Sequence, residues 1–104
     1  IDLILELPPV LQLPADAIEA LLRIVREAIT NAGRHAHASV VTVSLDVGDG
    51  IVLDVRDDGE GFDATHPGAG FGLTSMRERA EAIGGVFTLI TEPGRGTTIR
   101  VDVA

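Results

Sequence analysis

Two pairs of alternating segments constrain the fold of this chain most strongly. Apolar and polar side chains alternate in residues 41–47 and 51–55, and Gly48-Asp49-Gly50 separates the two runs. Residues 86–91 and 97–103 repeat this arrangement around a turn that contains one proline and two glycines. A period of two predicts strands with one buried face, and turns of this composition predict two β-hairpins.

Helical periodicity occupies much of the remaining sequence. Apolar residues recur with a helical period over about residues 14–36, where Asp16 is the expected N-cap. A shorter stripe over residues 73–83 ends at a pair of glycines. Before the first helix, residues 1–7 alternate like a strand until two prolines interrupt pairing. The long stripe consists of Ile18, Leu21, Leu22, Val25, Ala28, Ile29, Ala32 and Ala36.

The order of the predicted elements indicates an α+β fold. Strand, helix, two strands, loop, helix and two strands give a two-layer α/β sandwich, in which a mixed, mostly antiparallel sheet of about five strands carries the helices on one face. The loop, residues 63–72, has no periodicity and is predicted to be mobile. Solvent is expected on the other face of the sheet, which carries Thr42, Ser44, Asp46, Arg100 and Asp102.

Composition excludes several functional classes. The 104 residues are long enough for one domain, and the absence of cysteine excludes disulfides and thiolate chemistry. All eight basic residues are arginine, so a P-loop lysine is excluded, and a net charge of -8 argues against a nucleic-acid partner. Without a long apolar run or a signal-peptide pattern, a cytoplasmic domain with no direct membrane contact is expected. Because residue 1 is not Met, we expect the chain to be a piece of a longer protein.

One candidate site lies where the second predicted strand of the first hairpin stops, at Asp57-Asp58-Gly59-Glu60-Gly61-Phe62. Taken alone, this segment is more typical of a turn. A buried Asp57 carboxylate could instead accept a hydrogen bond from the exocyclic amine of adenine, and it would reject guanine, which has a carbonyl oxygen there. Asp58 is expected to support the turn.

Two further patterns could bind a phosphorylated ligand. Glu27, Asn31 and His35 recur every four residues on the long helix, close to Arg34, and could orient a hydrated Mg²⁺. An ordinary solvated helix face is the alternative. The glycines at 68, 70 and 72 precede a helix N-terminus, whose free N–H groups can hold phosphate oxygens, although they could also form a flexible connection.

Four segments together carry a family resemblance. Residues 26–36, 57–62, 70–73 and 96–98 resemble the N, G1 and G2 boxes and the final threonine motif of the histidine-kinase-type ATPase family. Their order and spacing match over nearly the whole chain. Residues 72–85 are also similar to bacterial sensor kinases that act with response regulators of the NarL and LuxR type, and to oxygen- and redox-sensing kinases of actinobacteria.

The resemblance implies a Bergerat-type sandwich that binds ATP and Mg²⁺. It implies that Asn31 ligates Mg²⁺, that Glu27 helps to polarise the acceptor or an attacking group and reaches the metal through water, and that Asp57 binds adenine. Thr97 would lie near the adenine, and Arg34 or His35 would reach toward the phosphates. The remaining cofactor-binding residues that it implies, in the pocket and its lid, are Gly59, Gly61, Gly70, Gly72 and Leu73.

The resemblance further implies that residues 1–104 are the ATP-binding catalytic domain of a sensor histidine kinase. The helical dimerisation domain with the phosphoacceptor histidine would lie outside these residues, because His35, His37 and His66 lack a helical-hairpin context. A homodimer is expected in the full-length kinase only, with a response regulator as an indirect partner. Two departures from the family pattern are a short lid and the lack of a separate phenylalanine box. The alternatives are an anti-sigma-type serine kinase, an ATP-hydrolysing gate domain and a degenerate interaction module.

Overall fold

The computed structural model describes residues 1–62 and 72–104. Strands and helices follow one another there in the predicted order. They are β1 (Asp2–Glu6), α1 (Ala15–Arg34), β2 (Val40–Val47), β3 (Ile51–Asp57), α2 (Leu73–Ala82), β4 (Gly85–Thr91) and β5 (Thr97–Val103). Both predicted hairpins form, since β2 pairs with β3 and β4 pairs with β5, each antiparallel.

The strands form one sheet with the order β1-β2-β3-β5-β4. β1 is parallel to β2, and all other described pairs are antiparallel. α1 packs over β2 and β3, while α2 packs over β4 and beside α1. The predicted α+β sandwich, with a mixed sheet and helices on one face, is confirmed. Because β3 is central, the end of that strand at Asp57 lies between Val41 of β2 and Thr97 of β5.

The core fills the space between the sheet and the helices. Val41, Val55 and Val101, on three neighbouring strands, are at most 3% exposed, as the alternating pattern predicts. The opposite face is polar, and Arg100 donates two hydrogen bonds, of 2.8 and 3.0 Å, to the carboxylate of its cross-strand partner Asp54. The prediction of a solvated outer face is therefore confirmed.

The start of α1 differs from the prediction of an Asp16 N-cap. The N-cap is Pro14, two residues earlier, so the helix begins at Ala15, and the Pro14 carbonyl accepts the N–H of Ile18 at 3.1 Å. Pro14 suits this position because it has an extended backbone and its carbonyl can still accept the first helical bond. Asp16 lies in the first turn, where its negative charge is favourable to the helix dipole.

The buried face of α1 is rotated from the predicted stripe. Leu22, a predicted core residue, is 57% exposed, whereas Ile24 is fully buried although it was not predicted to be so. The reason is tertiary: α1 packs against α2 as well as the sheet, so the buried arc extends to Ala20 and Ile24. Hydrophobicity alone could not indicate which of several apolar positions faces the second helix.

This arrangement predicts that removing one methyl group at Ile24 costs more stability than removing most of the side chain at Leu22. Ile24→Val should lower the free energy of unfolding by about 1 kcal/mol, because the lost methyl group leaves a void in a closely packed core. Leu22→Ala removes more atoms from an exposed side chain, so its cost should lie within about 0.5 kcal/mol of zero. Denaturant unfolding of both variants measures the difference. The reverse ranking would contradict the assigned face of α1.

β1 pairs as a strand but is not buried on either face. All five of its residues are exposed, including Leu3 at 49% and Leu5 at 56%. The alternation of residues 1–7 correctly predicted a strand and wrongly implied a covered face. The physical reason is the placement of the helices, which pack over β2, β3 and β4 and leave this edge of the sheet open.

Candidate functional site

A cavity opens at the end of β3, between the sheet and the two helices. It brings together six residues that the sequence predicted to bind a ligand, which are Asn31, His35, Asp57, Gly61, Leu73 and Thr97. Its other described lining residues are apolar: Ala28, Ala36, Val55, Phe62 and Ile99. A largely apolar cavity with a few converging polar groups is the usual form of a small-molecule site.

Asp57 is the polar centre of this cavity. Its Oδ1 accepts the N–H of Gly59 at 2.8 Å. Burial raises the pKa of the Asp57 carboxyl above its ordinary value, and hydrogen bonds from the backbone of Gly59 and Thr97 partly offset that rise. A carboxylate has about four acceptor positions, so the Gly59 bond leaves room for a ligand donor. Such a donor would stabilise the ionised form, which burial disfavours.

Asp58 points away from the cavity and holds the turn in place. Its Oδ1 accepts the N–H groups of Ser39 at 2.8 Å and Val40 at 2.9 Å. These bonds tie the segment after β3 to the start of β2, so the prediction that Asp58 supports the turn is confirmed. Backbone hydrogen bonds from Val40 and Ser39 lower the pKa of Asp58 below its ordinary value of 3.8.

The lowered pKa of Asp58 predicts a specific pH dependence of stability. Its stabilisation should be complete above the ordinary pKa and lost as the pH falls through the lower, folded-state pKa. The difference in Tm between the wild type and Asp58→Asn should therefore be largest near neutral pH and shrink in acid. Asp49→Asn, in the exposed β2–β3 turn, is the matched control for removing one charge from an acidic chain. A difference in Tm that does not change with pH would contradict the assignment.

Two glycines let the β4–β5 turn lie directly against the backbone that follows β3. Gly61 and Gly96 have φ of +64° and +75°, a region that other residues rarely adopt. A methyl group on Gly61 would overlap the carbonyl oxygen of Glu92, and one on Gly96 would overlap that of Asp57. The two segments are also joined by a hydrogen bond from the N–H of Gly94 to the carbonyl of Glu60.

The residues just after α1 contact the segment that follows β3, and Gly59 makes this contact possible. A Cβ on Gly59 would lie 2.6 Å from the carbonyl oxygen of Ala36, and that oxygen accepts the N–H of Glu60 at 2.8 Å. Only a glycine permits this approach. The contact sets the helical row with Asn31 and His35 beside the carboxylate of Asp57.

The remaining predicted residues lie beside the cavity or away from it. Glu27 lines a neighbouring groove between α1 and α2, where a methyl group on Gly72 would overlap its carboxylate. Gly72 is the N-cap of α2, with φ of +74°, and its carbonyl accepts the N–H of Met76 at 3.0 Å. Arg34 is exposed in the last turn of α1 and is not among the described lining residues. Gly70 and the predicted loop that contains it lie outside the described residues, except for Gly72.

Several residues of the site were not predicted from the sequence. Ala28 and Ala36, eight residues apart on one face, were predicted only as part of the apolar stripe, yet both line the cavity. That spacing was a signal that the sequence offered. No signal in the sequence indicated the role of Thr91. Its Oγ1 accepts the N–H of Phe62 at 3.1 Å and lies 2.9 Å from the Oγ1 of Thr97.

The size of the cavity limits what it holds in this conformation. Its volume is about 30 Å³, which is enough for one or two water molecules. A purine base is much larger, so binding one requires the walls to separate. No three His, Cys, Asp or Glu residues in the described ranges are grouped to hold a metal ion. Among the residues that the structure describes, no helix is long and apolar enough to cross a membrane.

Comparison with known protein families identifies a class of ATPase. Residues 16–104 match the family described as histidine kinase-, DNA gyrase B-, and HSP90-like ATPase, and the chain belongs to this family. Sensor histidine kinase LiaS of Bacillus subtilis is 47% identical over 85 residues, which cover 80% of this chain and 24% of that protein. The nitrate/nitrite sensor protein NarQ of Escherichia coli is 41% identical over 97 residues, which cover 90% of this chain and 17% of that protein.

Solved structures show the same fold. A blue-light activated histidine kinase of Erythrobacter litoralis matches with a TM-score of 0.83 at 22% identity, over 98% of this chain and 34% of that one. The ATP binding domain of PrrB from Mycobacterium tuberculosis matches with a TM-score of 0.70 at 25% identity, over 99% and 80%. The predicted family is therefore confirmed. The chain spans about a quarter or less of the length of the two curated relatives named above.

Proposed function

We propose that residues 1–104 are the ATP-binding catalytic domain of a sensor histidine kinase. The domain binds Mg-ATP and donates the γ-phosphoryl group to a histidine on a separate helical dimerisation domain. The observation that carries this proposal is the cavity, in which the half-buried carboxylate of Asp57 lies beside Thr97, Asn31 and His35. The sensor kinases among the relatives favour this function over a serine kinase, a gate domain or a degenerate module.

The adenine end of the site is Asp57. Its carboxylate accepts the exocyclic amine of adenine, while the apolar walls, such as Val55 and Ile99, contact the ring. Guanine presents an oxygen at that position and would leave two acceptors facing each other. Thr97, which is 8% exposed and bonded to Thr91, fixes the shape of the cavity next to this carboxylate.

The phosphate end is the flank of α1 and the start of α2. Asn31 and Glu27 are one helical turn apart and offer the oxygen ligands that Mg²⁺ prefers, with Glu27 acting through water. Mg²⁺ supplies charge neutralisation on the transferred phosphoryl group. Backbone N–H groups after Gly72, together with Gly70, hold phosphate oxygens at the N-terminus of α2, and His35 or Arg34 reaches toward them.

The acceptor histidine belongs to another domain of the longer protein. His35 lines the cavity, and His37 has φ of +51° in the exposed connection after α1, so neither is presented on a helix to a second nucleotide site. In the transfer, the acceptor imidazole nitrogen forms a bond to the γ-phosphorus as the bond to the leaving oxygen of ADP breaks. Glu27, at the edge of the phosphate end, receives a hydrogen bond from the imidazole N–H and polarises it.

We also propose three properties of the complete kinase, by analogy with its relatives. It is a homodimer through its helical domain, its catalytic domain is cytoplasmic, and it passes phosphate to a response regulator of the NarL and LuxR type. The resemblance of residues 72–85 to such kinases supports the last of these.

The test combines binding with transfer. The isolated chain is titrated with Mg-ATP and then incubated with γ-labelled ATP, alone and with the dimerisation domain of the same protein. We expect binding in both cases and labelling of the dimerisation domain only. No binding at millimolar nucleotide would favour the interaction module, and label on a partner serine would favour the anti-sigma-type kinase.

A further inference from the structure

Thr91 lies just behind the cavity and joins two of its walls. It is the last residue of β4 and the cross-strand partner of Thr97, the first residue of β5. Its Oγ1 accepts the N–H of Phe62 at 3.1 Å and lies 2.9 Å from the Oγ1 of Thr97. Phe62 and Thr97 line the cavity, whereas Thr91 is not among its described lining residues. A single hydroxyl therefore links the segment after β3 to the start of β5.

The distances around the Thr91 hydroxyl determine where its hydrogen lies. A hydroxyl donates one hydrogen bond and accepts up to two. In the described ranges the Thr97 hydroxyl lies at 2.9 Å, and the carbonyls of Gly96 and Phe62 lie at 3.4 and 3.5 Å. Hydroxyl hydrogen bonds are usually about 2.5 to 3.0 Å long. If Thr97 were the donor, only the two long carbonyl contacts would remain for the hydrogen of Thr91. Thr91 therefore donates to Thr97 while it accepts from Phe62.

This arrangement directs the hydrogen of Thr97 into the cavity. Within the part of the chain that the structure describes, Thr91 is the hydrogen-bond partner of the Thr97 hydroxyl. Because Thr97 accepts from Thr91, its own hydrogen remains for a ligand or a water molecule. Thr97 is only 8% exposed and lines the cavity, so that acceptor lies inside. Thr97 thus presents a donor beside the carboxylate of Asp57, which presents acceptors.

A donor beside an acceptor matches the edge of adenine better than that of guanine. Asp57 and Thr97 are cross-strand partners, so their side chains leave the same face of the sheet at neighbouring positions. In adenine, the ring nitrogen N1 beside the exocyclic amine is an acceptor, whereas in guanine it carries hydrogen. When the carboxylate faces the amine, the neighbouring hydroxyl faces this nitrogen. An oriented donor stabilises adenine there and opposes guanine.

We propose that Thr91 is a positioning residue that orients the Thr97 hydroxyl as a donor toward the base, and thereby adds to the preference for ATP over GTP. Without the Thr91 hydroxyl, Thr97 can turn its hydrogen away and accept from N1 of guanine. The effect acts through Thr97, because Thr91 lies behind the cavity wall. This inference deepens the proposed function and rests on it.

The first test removes the Thr91 hydroxyl and keeps the shape of the side chain. Thr91→Val should lower the ratio of the affinities for Mg-ATP and Mg-GTP by about 3- to 5-fold, the effect of one ordinary hydrogen bond. Thr91→Ser keeps the hydroxyl and should keep the ratio. Thr91→Val in a Thr97→Val background should change the ratio no further, because the donor is already gone. Equilibrium titrations with the two nucleotides measure all of these affinities.

Two further measurements make the result specific. Thr98→Val makes the same chemical change on the outer face of the sheet, and the ratio should stay that of the wild type. An ATP analogue with C–H in place of N1 tests the contact without changing the protein. It should bind the wild type about 3- to 5-fold more weakly than ATP.

Four results would overturn the proposal. They are an unchanged ratio in Thr91→Val, an equal loss of affinity for both nucleotides in that variant, a lowered ratio in Thr91→Ser, and equal binding of ATP and the analogue by the wild type. An equal loss would show that Thr91 only supports the shape of the cavity. Failure of the wild type to bind Mg-ATP would instead refute the proposed function.

Discussion

Asp57→Asn is expected to remove most of the preference of this domain for ATP over GTP. In the wild type, guanine would leave a buried acceptor without a donor, which corresponds to roughly 5- to 150-fold weaker binding of GTP. The Gly59 N–H holds the amide oxygen of an asparagine in place, so its amide nitrogen would face the base, donating to the guanine oxygen and opposing the adenine amine. We therefore expect weaker binding of ATP, stronger binding of GTP and a ratio near one. Equilibrium titrations with Mg-ATP and Mg-GTP measure both affinities.

Asp58→Asn is the matched control for this substitution. It makes the same chemical change one residue further along, at a carboxylate bonded to Ser39 and Val40 outside the cavity. The variant should retain the preference for ATP. Equal affinity of the wild-type protein for the two nucleotides would rule out Asp57 as the residue that recognises adenine.

Gly61→Ala is expected to be among the most destabilising single-methyl additions in the chain. The positive φ alone costs about 1 to 3 kcal/mol for a residue with a Cβ. Overlap with the carbonyl of Glu92 adds a comparable amount, because neither backbone segment can yield without breaking the contact between the two turns. We expect a loss of about 3 kcal/mol or more in the free energy of unfolding, together with weaker nucleotide binding.

Gly94→Ala separates the cost of a positive φ from the cost of the overlap with a neighbouring carbonyl. Gly94 has a similar φ of +81°, but an added Cβ there would meet no atom within 4 Å. This variant therefore carries the conformational cost without the overlap, and its loss should be about 1 kcal/mol. Chemical denaturation of the pair measures the difference. Equal losses for Gly61→Ala and Gly94→Ala would show that the turns do not pack as closely as the structure indicates.

The elements with local signals could be predicted from the sequence, and those that depend on long-range packing could not. The hairpins and α2 follow from periodicity and turn residues that lie within a few positions of one another. The buried arc of α1 depends on its contact with α2, about fifty residues later, and the sequence stripe was wrong at Leu22 for that reason. The predicted N-cap of α1 was wrong by two residues, because Pro14 and Asp16 both carry signals for a helix start.

The site shows the same division. Asp57 was identifiable because a strand stops at carboxylates and glycines, and the resemblance to a family supplied its expected role. The closeness of Gly61 to Glu92 and the hydrogen bond from Phe62 to Thr91 join segments about thirty residues apart. No local pattern encodes such a contact, since any residue that tolerates a turn would look the same in the sequence. The binding roles of Asp57, Asn31, Glu27 and the other predicted site residues remain predictions.

The exposed strand at the edge of the sheet has a consequence for the dynamics of the domain. β1 has backbone hydrogen bonds to β2 on one side, and none of its residues is buried. Opening these bonds exposes little additional apolar surface, so β1 can separate from β2 at a small fraction of the free energy of global unfolding. We therefore expect amide groups in β1 to exchange with solvent through local opening, and those of β3 and β5 to exchange only when the core itself unfolds.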